Sequence, residues 1–424
     1  MKPKQAFRIH MILRYFCFSC VILFGVISIL GSGVGGVDDS WLFPLWVETD
    51  VVVSDIDLDG RNDVLTLAML STSMSHDEGH ITIYRQINEK EFSTPSTYIV
   101  GRYPWQLSVR DIDGDTLPDL IVTDVDSNNV QLLLQDPNSD GQFLPAQQIA
   151  IGVNAYETAI ADFNNDGTSD VAIVDSHIGS NRIVMLYQDP VNQGEFLPAV
   201  ELNLPGASSN ITTGDINGDG LADLLTWIYL EPSGWTPNGV LAISLQQPDG
   251  TLGQITTLAP QTGLNVGQLS IADYNGDGEN DLFVFFTPSS VDYKAKLTVV
   301  LQETVLGTFG APVDTSLTGI KGIDDAVVAD LNGDDRPDFA VVGFYPEGSP
   351  STVKSRLNLF LQSGGGTFSL AEVYEIPISA NRITSGDIDD DGLNDLIVLG
   401  GDNQCMVLIQ SHSITGTFNP PKSL

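Results

Sequence analysis

One nine-residue pattern, Asp-x-Asp/Asn-x-Asp-x-x-x-Asp, occurs seven times in the 424-residue chain. Its acids and amides are Asp55, Asp57, Asp59 and Asp63; Asp111, Asp113, Asp115 and Asp119; Asp162, Asn164, Asp166 and Asp170; Asp215, Asn217, Asp219 and Asp223; Asp273, Asn275, Asp277 and Asp281; Asp330, Asn332, Asp334 and Asp338; and Asp387, Asp389, Asp391 and Asp395. Alternate side chains of a tight loop can all point inward, so positions 1, 3, 5 and 9 can surround one point with oxygens. Position 7 can add a backbone carbonyl, from Arg61, Leu117, Thr168, Leu221, Glu279, Arg336 and Leu393. Hard Ca²⁺ takes six to eight oxygens. Three or four carboxylates this close repel one another unless a cation neutralises them. The expected cofactor is therefore calcium, up to seven ions, with a chiefly structural role.

The copies are not equivalent. Position 6 is glycine in five of them, which permits a backbone reversal with φ > 0. The second copy has Thr116 there, a β-branched residue poorly suited to that conformation, and the sixth has Asp335. The second and sixth sites are expected to be the weakest.

The copies start 51 to 58 residues apart, and what surrounds them repeats too. A short alternating segment precedes each loop, and an apolar run such as Val171–Val174 or Leu282–Phe286 follows it. A third run usually ends in Gln, at Gln135, Gln188, Gln246, Gln302, Gln362 and Gln410. A turn to Gly-x-Phe and a further extended stretch close the unit. Runs of four to seven residues rich in Val, Ile and Leu, bounded by Gly, Pro and Asp, read as strands. Gly (41) and Pro (22) are frequent, and no stretch carries a helical period of helix length. Four antiparallel strands per unit and seven units predict an all-β, seven-bladed β-propeller with the acidic loop between the first and second strands of each blade. The blades are expected over 46–100, 101–151, 152–205, 206–260, 261–316, 317–378 and 379–424. The last is short, so residues 38–45 are candidates to complete its fourth strand and close the ring.

The loop and its downstream Gly-x-Phe turn resemble FG-GAP/VCBS-type repeats, the calcium-binding blades also found in the propeller of integrin α subunits. The resemblance covers roughly residues 46–420. It implies one calcium per loop on one face of the disk, and ligand contacts on the opposite face. That face is made by the loops joining strands two and three and by the connections between blades. Family roles include adhesion, sugar binding and accessory domains of enzymes, so the resemblance speaks to architecture more than to role.

Charge narrows the partners. Against 55 Asp+Glu stand 18 Lys+Arg, a net charge of −37 that repels phosphate backbones and excludes nucleic acid as a partner. The N-terminus reads as an export signal: basic residues within 1–14, an apolar run over 15–30, then small residues over 31–36. The uncharged stretch is also long enough for a retained anchor, the alternative reading of 1–37. An extracytoplasmic location, whether secreted, periplasmic or at the cell surface, is expected either way. Export leaves Cys405 as the single cysteine, with no intrachain disulfide possible. A monomer is expected.

No catalytic constellation stands out. Gly31–Gly36 matches a dinucleotide-binding spacing but follows an apolar segment rather than a strand, and His76 and His80 lie in a variable loop without metalloprotease spacing. Two features mark the presumed ligand face. Five residues before each loop stands a polar residue: Asp50, Gln106, Glu157, Asn210, Gln268, Asp325 and Arg382, a candidate ring at the central channel. Aromatic residues Trp227, Tyr229 and Trp235 lie in or beside the longest inter-strand loop, and Trp105 is placed near the same face. Trp105, Trp227, Tyr229, Trp235 and Arg382 are the candidate ligand contacts. The expected function is a non-catalytic binding or adhesion module for a surface protein or a glycan. The alternatives are a polysaccharide lyase or hydrolase on the same scaffold, or a structural subunit of a larger surface assembly.

Overall fold

Each of the seven acidic loops sits between two strands that share its blade. The computed structural model describes residues 45–424 apart from 72–77, 89–90, 126, 176, 178–179, 231–237, 263, 289–294, 304–306, 318–319, 321, 344–354, 365, 401–403 and 413–415. The strands form seven antiparallel four-stranded sheets, each in sequential order, and one two-stranded hairpin beyond them. No helix occurs among the described residues, and none is long and apolar enough to cross a membrane. The segment expected to signal export or anchor the chain lies outside the described residues.

The first strands are Leu45–Ser54, Pro104–Arg110, Ala155–Ala161, Ala207–Gly214, Leu264–Ala272, Asp325–Ala329 and Ala380–Gly386. Each packs beside the first strand of the next blade, and Ala380–Gly386 packs beside Leu45–Ser54, which completes the circle. The second strands are Asp63–Ser71, Asp119–Asp124, Asp170–Asp175, Asp223–Tyr229, Asp281–Pro288, Asp338–Gly343 and Asp395–Gly400. Every one begins at position 9 of the acidic loop. Second strands are buried on both faces, as in Asp170–Asp175, because a blade is covered by a neighbour on each side. Their near-continuous apolar sequences follow from that. Fourth strands lie outermost, and Val200–Asn203 is largely exposed.

Seven apolar clusters fill the seven gaps between blades. The gap between blades three and four, for instance, holds Phe163, Val174, Met185, Leu224 and Ile228. The smallest cluster lies between the last blade and the first, around Val51, Val64, Ile388, Ile397, Leu399 and Val407. The fourth strand of the seventh blade is Lys422–Ser423, which pairs with Met406 and Val407. Leu45 opens the first strand of blade one, and residues 38–44, the other part of the segment expected to complete the last blade, lie outside the described residues. The ring therefore closes by side-chain packing between complete blades. Cys405 lies beside that closing cluster, and burial pushes its thiol up to about 12.

Candidate functional site: the acidic loops and the channel mouth

The loops share one hydrogen-bond scheme. Position 1 is an anchor: Asp162 Oδ1 accepts from the Asp166 amide (3.1 Å) and Oδ2 from the Gly167 amide (2.8 Å). Its equivalents do the same, Asp55 with the amides of Asp59 and Gly60, Asp387 with those of Asp391 and Gly392. Position 5 accepts from the position 7 amide in all seven, as Leu221 N to Asp219 Oδ1 (2.9 Å). Position 6 has positive φ throughout: 75° at Thr116, 62° at Asp335 and 84 to 91° at the five glycines. Thr116 is thus held where a β-branched residue is strained.

Position 9 does the most structural work and is buried in every blade. Asp170 Oδ2 accepts from the Phe163 amide (3.0 Å) at position 2, and Oδ1 from the Gln188 amide (2.9 Å) at the end of the third strand. All seven copies repeat this pair of bonds, and in blade one Gln86 fills the role of the recurring glutamine. Burial raises these carboxyls, to about 7 at Asp170 and Asp395, with the neighbouring loop aspartates a smaller contribution. The side chains of Gln135, Gln188, Gln362 and Gln410 then reach the preceding blade. Gln135 Nε2 donates to the Ile56 carbonyl (2.9 Å) and Gln410 Nε2 to that of Leu331 (2.8 Å). Position 8 makes a second link between blades: Asn62, Ser169, Asn280 and Asn394 donate to the position 1 carbonyl of the blade before. In the other three blades this residue is Pro118, Ala222 or Pro337, which has no side-chain donor.

Position 3 divides the loops. In copies three, four and five the asparagine amide donates to the position 5 carboxylate, as Asn217 to Asp219 (3.0 Å), and its oxygen accepts from the position 5 amide. Those loops satisfy themselves. In copies one, six and seven the position 3 oxygens, Asp57 Oδ1, Asn332 Oδ1 and Asp389 Oδ1, are buried and have no hydrogen-bond donor. A buried acceptor without a donor costs roughly 1–3 kcal/mol, and a cation at that point would remove the cost. Asp55, Asp57 and Asp59, and likewise Asp111, Asp113 and Asp115, bring oxygens within 4.8 Å of one another. Asp330, Asp334 and Asp338 do so too, as do Asp387, Asp389 and Asp395. This all-oxygen donor set fits calcium. Copies one and six also carry cations of their own. Arg61 pairs with Asp59, Arg85 lies 3.9 Å from Asp57, and Arg336 lies 3.4 Å from Asp334. Copy one, complete by composition, thus has internal competition for a metal.

The polar ring residues, the candidate channel mouth, lie toward the other end of the inner strands. A break in register sits at or just before the polar residue in six first strands, as between Glu48 and Asp50 or Ala380 and Arg382. The bulge turns that residue toward the next blade. Asp50 Oδ2 accepts from the Leu107 amide (2.8 Å), Gln106 Oε1 from that of Thr158 (2.5 Å), Glu157 Oε2 from that of Ile211 (3.3 Å) and Asp325 Oδ2 from that of Ile383 (3.0 Å). In each case the donor follows the equivalent ring residue of the next blade. Burial raises the carboxyls, Glu157 to about 8 and Asp50 to about 6, while Arg382 opposes the shift. Arg382 Nε stands 4.0 Å from Asp50 Oδ1, and its guanidinium lies 5.5 Å from the centre of the Trp105 ring. Trp105 stacks on Tyr156 at 4.9 Å and 24°. Two half-buried rings and a cation thus adjoin a group of carboxylates.

A family model described as an FG-GAP-like repeat matches residues 55–122, 111–173 and 162–226. Residues 55–226 of this seven-bladed β-propeller are thus FG-GAP-like repeats. No curated protein matches it. Among solved structures, the crystal structure of BBS1N in complex with ARL6DN, soaked with lead, aligns with 88% of this chain and 99% of that one. The identity is 9% and the TM-score 0.49.

Within this propeller the candidate ligand residues separate. Trp105 and Arg382 come together at the channel mouth. Trp227 does not belong there: it is fully buried and meets Phe286 (5.1 Å) and Tyr229 (6.3 Å) edge-on, between blades four and five. Tyr229 is buried in the same cluster. Both lie on the second strand, whose two faces are covered, and the aromatic types signalled core rather than ligand. Trp235 lies outside the described residues. A polar cluster missed in the sequence sits on blade three, around the connection between its second and third strands. Buried Asp175 accepts from Ser180 Oγ (2.8 Å) and Arg182 Nε (3.1 Å), and its Oδ1 lies 2.7 Å from His177 Nδ1. Glu201 and Asn203 line the same hollow. The spacing of Asp175, His177, Ser180 and Arg182 within one loop was its only signal in the sequence.

Proposed function

We propose that this propeller is an exported, calcium-stabilised binding module whose ligand surface is the channel mouth, and that its ligand is a glycan. One observation carries the binding role: Trp105 and Arg382, from blades two and seven, stand 5.5 Å apart beside the Trp105–Tyr156 stack and the Asp50 carboxylate. A flat aromatic surface edged by charged hydrogen-bonding groups suits the apolar face and hydroxyls of a sugar ring. Calcium is supported by the oxygen sets and the unpartnered position 3 oxygens. When bound, the ion would neutralise converging carboxylates at the root of each blade. Asp55, Asp111, Asp162, Asp215, Asp273, Asp330 and Asp387 pre-order the loops through backbone amides, and the position 9 aspartates fix them to the third strand. Export is supported by the basic, apolar, small-residue order of 1–37 and agrees with the need for a calcium-rich medium.

One observation favours an enzyme as a second reading: His177 is oriented by buried Asp175 through Nδ1, the arrangement of a general base. Ser180, however, bonds Asp175 rather than the imidazole, so no nucleophile is aligned with it.

The deciding experiment is a glycan panel read with the full-length protein in calcium, using wild type, Trp105→Ala and Arg382→Gln. Retention by wild type and loss in both variants supports the channel mouth. Equal retention in all three places the ligand elsewhere, and turnover of a polysaccharide that His177→Ala abolishes establishes the enzyme.

A further inference from the structure

Blade seven differs from the other six at one point of its acidic loop. In the sequence, the residue two positions beyond the recurring glutamine is Asn88, Pro137, Pro190, Pro248, Thr304, Gly364 or His412. Only blade seven has a metal-ligating side chain of borderline softness there. The atoms that Asp389, Asp391 and His412 can offer a metal lie within 4.8 Å of one another.

Two observations separate this group from a plain acidic cluster. The Asp391 side chain is only 8% exposed, and its Oδ2 receives no hydrogen bond although His412 Nε2 is 2.7 Å away. The imidazole N–H axis therefore misses that oxygen. Two ligand atoms side by side, neither directed at the other, is the relation of neighbours on one ion. Asp389 Oδ1 is also buried and without a donor. Two carboxylate oxygens and one imidazole nitrogen leave open positions for water. That donor set suits a first-row divalent transition ion, whereas calcium prefers oxygen alone.

We propose that the loop of blade seven is a transition-metal site of the zinc class, formed by Asp389, Asp391 and His412, within a ring whose other loops are suited to calcium. Asp389 also belongs to the group with Asp387 and Asp395, so filling the site changes how this one loop holds calcium. The inference deepens the calcium reading above, and its test can fail separately from it.

The test uses the full-length protein in excess Ca²⁺ with zinc ion as the probe. Bound metal is measured by mass spectrometry after desalting, and Co²⁺ substitution is followed by visible absorption. Wild type is expected to retain one zinc per chain, and Co²⁺ to show bands of nitrogen–oxygen ligation. His412 is 67% exposed, so His412→Gln should fold normally. It should bind zinc roughly tenfold or more weakly and lose the Co²⁺ bands. His177→Gln, distant in the fold, should change neither. Failure of wild type to retain zinc, equal retention by His412→Gln, or loss in His177→Gln would each overturn the proposal. Calcium content measured on the same samples tests the other loops: zinc without calcium sinks the calcium reading alone, and calcium without zinc sinks this one alone.

Discussion

The two ends of the inner strands are built by the same rule and have opposite characters. At one end, seven loops repeat one set of carboxylates, and their position 1 and position 9 oxygens accept from backbone amides in every blade. At the other end, four of the seven ring residues also accept from the backbone of the next blade, yet their identities differ: acids at 50, 157 and 325, amides at 106, 210 and 268, one cation at 382. Where a repeated position must serve the architecture, every copy carries the same chemistry. Where the backbone bond is met by any acceptor, the side chain is released to differ, and the differences collect around Trp105 and Arg382. Uniformity therefore marks the part that holds the ring together, and variety marks the part that can recognise something.

The strongest test of that contrast is removal of calcium. A site at ten times its Kd contributes about 1.4 kcal/mol, so several filled loops approach the stability of an ordinary domain. Chelation of the full-length protein should lower Tm more than any single substitution below, and a Tm indifferent to chelator would show that the acidic loops hold by hydrogen bonds alone. Next in size is Asp170→Ala. It strips two buried amides of their acceptor, at a cost of roughly 2–4 kcal/mol, read as a lower urea midpoint. A midpoint close to wild type would mean that position 9 does not staple the blade.

The channel mouth should behave in the reverse way. Trp105→Ala is expected to weaken glycan binding by about 1–2 kcal/mol while leaving the calcium dependence of Tm unchanged. A parallel loss of calcium response would erase the distinction between the two ends. The Glu157 carboxyl is raised from an ordinary 4.5 to about 8, chiefly by burial. Its contribution to stability is then fully present below about pH 4.5 and is lost as pH rises through 8, because the unfolded chain releases a proton that the folded ring retains. Glu157→Gln should therefore match wild type in Tm near pH 4 and exceed it above pH 8. Equal curves at every pH would show that Arg382 already compensates the charge. The smallest effect is expected at Thr116, held at φ 75°. Thr116→Gly should stabilise by about 1 kcal/mol or less, and Gly220→Ala, at φ 84° with open space around it, should destabilise by a similar amount.

Much of the acidic face was legible because repetition makes local chemistry visible. The loop spacing, the positive φ at position 6 and the strand order all follow from residues close in sequence. The recurring glutamines were visible as a pattern, but their purpose was not: Gln135 Nε2 reaches Ile56 across a blade boundary, 79 residues away. Arg85 was likewise invisible as a competitor for the first loop, since it arrives from just beyond the third strand. Trp227 was misplaced for a related reason. Its apolar strand neighbours and its nearness to the longest inter-strand loop gave opposite signals, and the burial of second strands between two blades decides in favour of the core.

By itself the sequence determined the number of blades, the four-strand unit and the seven oxygen-rich loops, since these rest on contacts within one repeat or with the next in line. Tertiary structure alone decided three things: that the last blade is completed by Lys422–Ser423, that the ring closes by packing around Ile397 and Val51, and that Trp105 meets Arg382. The last two depend on bringing together residues hundreds of positions apart, which a repeat pattern does not encode and the closure of a ring imposes.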